Sequence, residues 1–255
     1  MHGKKKILIF IITYKASFRL RDVFDKIPFK KLNKYNISVL ISDDASNDNT
    51  VLFAQKIIKK NKNKKILLNV NKTNIGYGAH IKKCLNYSLK NKFDYAVMIH
   101  GDGQYSPTYI PSLLRSLSGI KNVGASTGSR LKSGRKNATK GGMPFYKLIG
   151  NILLTKIFNV LIKTNFTDTH TGLWAYNLYY LKNKKFNKLT NSFNFDQEFR
   201  FKNVIDKKNI QEIPIKTRYG DERSQLHIKY AINFFFKTIF FCMIKNKIIK
   251  SKKFS

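Results

Sequence analysis

The stretch MIHGDGQYSP, Met98 to Pro107, ends an apolar run, Tyr95 to Ile99, with a histidine, a carboxylate and an amide at alternate positions. The run is continuously apolar rather than alternating, so it reads as a strand buried on both faces. His100, Asp102 and Gln104 then point the same way at the strand's end. An Asp oxygen and a Gln carbonyl two residues apart can both ligate a hard divalent ion, and a histidine suits Mn²⁺ better than Mg²⁺. The glycines at 101 and 103 leave room for a bulky ligand near the backbone. The plainer alternative is a glycine turn capped by Asp102, with His100 a satisfied histidine at a sheet end. Taken alone, the stretch favours that alternative.

Its neighbours supply the context. Ile7 to Ile12, Ile37 to Ile41 and Ile66 to Val70 are further short apolar runs, each read as a strand. Between them, Phe18 to Ile27, Asn49 to Lys60 and Ala79 to Leu89 have helical spacing, with Ser17 as an N-cap candidate and Pro28 as a stop. Strands alternating with helices predict βαβ units and a mainly parallel sheet with helices on both faces. Ligands of such sheets bind beyond the carboxyl ends of the strands. Thr13-Tyr14, Asp43-Asp44, Asn74 to Gly78 and His100 to Gln104 all lie just past a strand end, so they are expected to line one crevice.

The second half is less regular. Gly124 to Arg130 reads as a strand and turn, Lys132 to Gly142 as a basic loop, and Tyr146 to Ile162 as a helix. A short apolar segment, Leu173 to Tyr176, a helix opening at Phe193 to Phe199 and a strand, Ile210 to Ile215, follow. No repeat or linker divides the chain, so residues 1–225 are expected to form one domain.

The chain has 255 residues and a formal net charge of +35; 41 of its 49 basic residues are lysine. Such a balance reflects either base composition or an anionic partner. Cys84 and Cys242, the only cysteines, form neither a disulfide framework nor a zinc site by themselves, and they fit a reducing, cytoplasmic setting. The opening MHGKKKILIFIITYK imitates a signal peptide, but its apolar run is short and lacks a small-residue cleavage site. It reads as the first strand.

Taken in order, the clusters are specific. ITYKA (Ile12 to Ala16), SDDASNDNT (Ser42 to Thr50), NIGYGAHIKKCL (Asn74 to Leu85), HGDGQYSP, GSRLKSG, DTHTGLWAY (Asp168 to Tyr176), FNFDQEF and EIPIKTRYGDERS follow one another along nearly the whole chain. The sequence resembles the inverting glycosyltransferases of family 2 with the GT-A fold. It is most similar to the polyprenyl-phosphate sugar synthases (dolichyl-phosphate mannose synthase type) and their soluble bacterial relatives. Three positions depart from the family pattern: His100 stands for the first Asp of D-A-D, Ala16 for the Glu of P-T-Y-N-E, and Trp174 for the Arg of S-G-F-R.

The resemblance implies transfer of a sugar from a nucleoside-diphosphate sugar, of the GDP-mannose or UDP-glucose type, to a polyprenyl phosphate or surface-glycan acceptor, with inversion. It implies an Mg²⁺ or Mn²⁺ ion on Asp102, Gln104 and His100. The nucleotide sugar is expected against Ile12, Tyr14, Ile41, Asp43, Asp44, Gly76, Gly101, Asp102, Arg130, Lys132 and Arg218. The residues expected in catalysis are Asp102, Asp196 and Arg218. Asp196 lies where related enzymes place a general base, which a hydroxyl acceptor needs and an ionised lipid phosphate does not. A helix N-terminal carboxylate explains Asp196 equally well. The competing readings are a non-catalytic relative with the same fold and a basic nucleic-acid-binding protein. No nucleic-acid motif or basic-aromatic stripe supports the latter, so no nucleic-acid partner is expected.

The C-terminal residues 226–255 are apolar, aromatic and then basic. Tyr230 to Ile244 is too short to span a bilayer, which needs about 20 mainly apolar residues. Lys229, Asn233 and Lys237 make one polar stripe at helical spacing. An amphipathic helix lying on an anionic membrane surface is expected there, giving a peripheral protein at the inner face of the membrane.

Overall fold

The computed structural model describes residues 3–118, 120–134, 138–139 and 141–217, with the isolated positions 240 and 244. Seven strands form one sheet: β1 (Lys6–Thr13), β2 (Asn36–Asp43), β3 (Ile66–Val70), β4 (Tyr95–His100), β5 (Val123–Ser129), β6 (Trp174–Asn177) and β7 (Asn209–Pro214). Their order is β3-β2-β1-β4-β6-β5-β7. All pairings are parallel except those of β6, which runs antiparallel to both β4 and β5. The expected mixed α/β sheet is therefore present, and the short segment after Asp168 is the strand that reverses its direction.

The apolar runs behave as a doubly covered sheet requires. Ile7, Ile9 and Ile11 pack into one layer with Leu20, Ala54, Ile57, Leu113 and Leu114, from α1 (Leu20–Asp25), α2 (Thr50–Lys60) and α4 (Ile110–Ser118). Leu8, Phe10 and Ile12 pack into the other with Ile81, Leu85, Phe195 and Phe199, from α3 (Tyr77–Lys90) and α6 (Phe195–Ile205). Successive side chains alternate between faces, and here both faces are dry, so every position from Ile7 to Ile12 must be apolar. Burying a side chain of this size stabilises by roughly 1.5–3 kcal/mol. Cys84 is a buried packing residue, and burial pushes its thiol up to about 12.

Three local expectations shift. Helix α1 begins at Leu20, not Phe18, and Phe18 is 97% exposed. Its N-cap is Arg19, without a side-chain cap, while Ser17 instead hydrogen-bonds Asp48. Helix α3 begins two residues earlier than its spacing suggests, because Gly76 turns the chain at φ 85° immediately before Tyr77. A φ in that region is nearly free for glycine and costly for other residues. The helix opening at Phe193 starts at Phe195. The long helix α5 (Phe145–Ile162) lies where its periodicity put it. Arg218 and almost all of the C-terminal segment lie outside the described residues.

Candidate functional site

The parallel register brings the motifs to one edge. Ile12 is level with Ser42 on one side and His100 on the other, and Thr13 pairs with Asp43. Strand β6 is antiparallel, so its leading loop, Asp168 to Gly172, reaches the same edge. Thr217, just past β7, bridges to Tyr105. This bridge brings the chain to the HGDGQY loop one residue before Arg218.

The paired carboxylates at the end of β2 have separate duties. Asp43 is fully buried; it accepts from Thr13 Oγ1 at 2.9 Å, Ser46 Oγ at 2.6 Å and Ser46 N–H at 2.8 Å. Asp44 accepts from Asn71 Nδ2 at 2.8 Å, Ile75 N–H at 3.0 Å and Gly76 N–H at 3.1 Å. Each carboxylate therefore has three donors of its own, and buried polar groups need such partners. Asp43 thus ties the Thr13 loop to its own, and Asp44 shapes the turn that launches α3. Asp48 accepts from Thr50 N–H at 3.0 Å and so secures the start of α2.

The end of β4 is tightly built. Gly101 donates to the Ile12 carbonyl at 2.9 Å, and a Cβ there would meet Thr13 Cγ2 at 2.6 Å. Asp102 Oδ1 accepts from Gln104 N–H at 2.9 Å, and the Asp102 side chain is 44% exposed. His100 sits between Tyr77 and Tyr105, with ring centroids 5.6 and 5.5 Å away. A Cβ at Gly172 would meet its Nε2 at 2.5 Å, so that glycine is what lets the ring lie there. Burial lowers the imidazole pKa and so favours the neutral form, against the opposing pull of Asp102.

Sequence reasoning missed Tyr77. Its hydroxyl donates to Asp196 Oδ2 at 2.8 Å and lies 3.5 Å from His100 Nε2. Gly78 makes this meeting possible: its N–H donates to the Asn191 carbonyl at 2.8 Å, and a Cβ would lie 2.5 Å from the Thr190 carbonyl oxygen. The close approach docks the start of α6 against the start of α3. A tyrosine between two glycines after a strand was the available signal. Asp196 is buried, and Oδ1 has no hydrogen-bond partner among the described residues. Burial pushes its carboxyl up to about 7, against the Tyr77 hydrogen bond and the charge of Arg200.

Three expected ligand contacts are placed differently. Ile41 is fully buried in the layer beneath α1 and α2, because odd positions of the neighbouring strand face that way. Arg130 is a buried ion-pair partner: Nε donates to Asp168 Oδ2 at 2.7 Å and Nη2 to Oδ1 at 2.9 Å. Lys132 directs its ammonium to the Glu212 carbonyl on the edge strand β7. Tyr14 remains half-buried at the end of β1 and Ile12 is buried there.

The donor set at the end of β4 fits a divalent ion. His100 Nδ1 and Asp102 Oδ2 are 4.0 Å apart, within reach of one ion bound at about 2.1 Å from each. Among the described residues no cluster of three or more His, Cys, Asp or Glu could hold a metal. His100 and Asp102 would hold such an ion with Gln104 as a further oxygen donor, so the protein by itself would supply only part of its coordination.

Residues 8–183 match the family model described as glycosyl transferase family 2. An uncharacterised protein of Methanocaldococcus jannaschii is 36% identical over 89 residues, which are 34% of this chain and 38% of that one. Among solved structures, a mannosyltransferase from Pyrobaculum calidifontis, in complex with GDP-Man and Mn²⁺, superposes with TM-score 0.60 at 12% identity. The alignment covers 88% of this chain and 59% of that one. Glucosyl-3-phosphoglycerate synthase from Mycobacterium tuberculosis, with Mn²⁺ and UDP-glucose, gives TM-score 0.64 at 12% identity over 93% of this chain and 79% of the other. At such identity these likenesses show a shared fold.

Proposed function

The chain belongs to glycosyl transferase family 2 and has its GT-A fold, and from that premise we propose that it transfers a sugar from a nucleoside-diphosphate sugar with inversion. The observation that carries the reading is the meeting of Thr13, Asp43, Tyr77, His100, Asp102 and Asp196 at the carboxyl edge of β2, β1 and β4. GDP-mannose and UDP-glucose types of donor are favoured by the sequence resemblance and by the molecules bound to the similar structures.

His100, Asp102 and Gln104 would hold a Mg²⁺ or Mn²⁺ ion. When bound, such an ion supplies Lewis-acid stabilisation of a departing diphosphate. The rigid Thr13–Asp43–Ser46 network shapes the nucleotide side of the crevice, and Asp44 sets the backbone of the Gly76 turn. Arg218, outside the described residues, is assigned to the donor phosphates on the sequence resemblance. Asp196 Oδ1 is a proton acceptor for a hydroxyl nucleophile, with its partner oxygen fixed by Tyr77. A pKa near 7 suits that role, because a general base works best close to the ambient pH. A polyprenyl phosphate, already ionised, would bypass it.

The acceptor proposed is a polyprenyl phosphate or a surface glycan. Residues 1–225 are read as the catalytic unit, and residues 226–255 as an amphipathic attachment to the anionic inner face of the membrane. The test is transfer from radiolabelled nucleotide sugars with Mn²⁺ or Mg²⁺, comparing polyprenyl phosphate with soluble hydroxyl acceptors. Metal-dependent transfer to either class supports the reading. Neither transfer nor donor hydrolysis with any donor would leave a non-catalytic relative of the family.

A further inference from the structure

Helix α6 turns a polar face inward. Asp196, Gln197 and Arg200 are all buried, and positions three and four apart share one side of a helix. Gln197 Nε2 donates to the Thr169 carbonyl at 2.6 Å, and Arg200 Nη2 to the Asp168 carbonyl at 3.1 Å. The first turns of α6 therefore hold the backbone of the loop whose Gly172 lies against His100. The Arg200 guanidinium lies over the Trp174 ring at 4.6 Å and the Phe166 ring at 4.9 Å. At position 174 the chain has tryptophan in place of the arginine of S-G-F-R. A cation reaches that place from α6 instead.

Stability does not account for this arginine. It is fully buried, and its Nε and Nη1 have no hydrogen-bond partner among the described residues. Replacing buried charged groups by apolar residues of similar volume is often neutral or stabilising. The two aromatic rings offset only part of the desolvation cost. What the cation faces is Asp196, one turn earlier. The other titratable groups against Asp196 are Tyr77 from α3 and Tyr176 from β6, both held neutral by burial. Arg200 in turn faces Asp168 and His170 from the loop and Glu212 from β7. Asp168 is bound to Arg130, and burial pushes His170 down to about 3. Among the described residues, Arg200 is thus the positive charge that acts on Asp196.

We infer that Arg200 is a positioning residue for the acceptor chemistry: it fixes the Asp168–Gly172 loop on α6 and places a positive charge behind the Asp196 carboxylate. Burial works against ionisation of Asp196, while the Arg200 charge works for it beside the Tyr77 hydrogen bond. The ionised form is the one that accepts a proton from a hydroxyl, whereas an ionised lipid phosphate needs no base. The acceptor that this arrangement serves therefore carries a hydroxyl. That consequence rests on the reading of Asp196 as the base; the contacts of Arg200 do not.

The experiment follows the Asp196 carboxyl by ¹³C NMR in the full-length protein and in Arg200→Met, Arg200→Gln and Arg200→Lys. Removing the charge should raise the Asp196 titration by about one pH unit or more, while Arg200→Lys should stay near wild type. The acid limb of turnover with a soluble hydroxyl acceptor should move the same way in the two neutral variants, costing about fivefold at pH 7. The titration needs no substrate. A wild type that transfers no sugar would sink the proposed function, and the titration would still decide the place of Arg200. An unmoved titration in a folded neutral variant overturns the inference, as does Arg200→Lys displaced as far as the neutral variants. Wild-type transfer to polyprenyl phosphate alone removes the catalytic role and overturns it too. So does unfolding of both neutral variants, which would make Arg200 a structural cation.

Discussion

Tyr77 and Asp196 are 119 positions apart in sequence and share a 2.8 Å hydrogen bond, the phenol donating to the carboxylate. The bond favours the ionised form, whereas burial favours the neutral one and raises the carboxyl to about 7. Tyr77→Phe removes the donor and keeps the ring. The Asp196 pKa should then rise further, read by carboxyl ¹³C NMR across a pH titration. An unmoved titration would mean that the bond is not populated in solution.

The same group gives stability a pH dependence of defined sign. In the unfolded chain an Asp titrates at about 3.9. Between about pH 4 and pH 7 the folded protein therefore holds a proton at Asp196 that the unfolded chain has lost. Its contribution is fully present below about pH 4 and declines as pH rises to about 7. Asp196→Asn abolishes the decline, so the variant should gain on wild type, by on the order of 1–3 kcal/mol, between about pH 4 and pH 8. Urea midpoints at both ends of that window measure it; a constant difference would contradict the assignment.

Arg130 and Asp168 should behave as a structural pair. Burial alone would raise the Asp168 carboxyl, but the guanidinium beside it holds it well below the usual range. Arg130→Ala leaves a buried charge uncompensated and should cost about 3–5 kcal/mol, seen in denaturant titration. Stability from the pair is present above about pH 4 and is lost as pH falls below it. A stable Arg130→Ala protein with weakened donor binding would instead return Arg130 to the phosphate role its motif suggests.

Removing a charged ligand should weaken the proposed ion site. Asp102→Asn is expected to lower Mn²⁺ affinity, measured with nucleoside diphosphate by electron paramagnetic resonance, by at least ~10-fold, since even outer-shell changes cost that much. His100→Asp should keep Mn²⁺ binding and improve Mg²⁺ binding. Metal affinity unchanged by Asp102→Asn would place the ion elsewhere.

Gly172→Ala tests how His100 is held. The added Cβ would lie 2.5 Å from Nε2, and the ring, at a partly exposed side chain, can move away. The fold should survive, with melting within a few degrees of wild type, while Mn²⁺ affinity drops if the ring position matters. Unfolding would show that the loop, rather than the ring, fixes the geometry.

The sequence alone determined the layered α/β sheet. Apolar runs of strand length, separated by helical spacing, permit little else, because both faces of each strand must be dry. It also fixed which polar clusters share an edge, since parallel strands all end on one side. It identified the β4 end, where His100, Asp102 and Gln104 follow a buried strand. What it could not specify was which side chains satisfy one another there. The Arg130–Asp168 pair, the separate networks of Asp43 and Asp44, and the Tyr77–Asp196 bond join residues far apart in sequence. Those meetings depend on two things that no local pattern encodes. One is the reversal of β6, which carries Asp168 and Gly172 to the carboxyl edge. The other is the close packing at Gly78, which brings two helix starts within hydrogen-bond distance. The tertiary structure decided them because buried polar groups must find partners, and only the folded chain determines which partners are in reach.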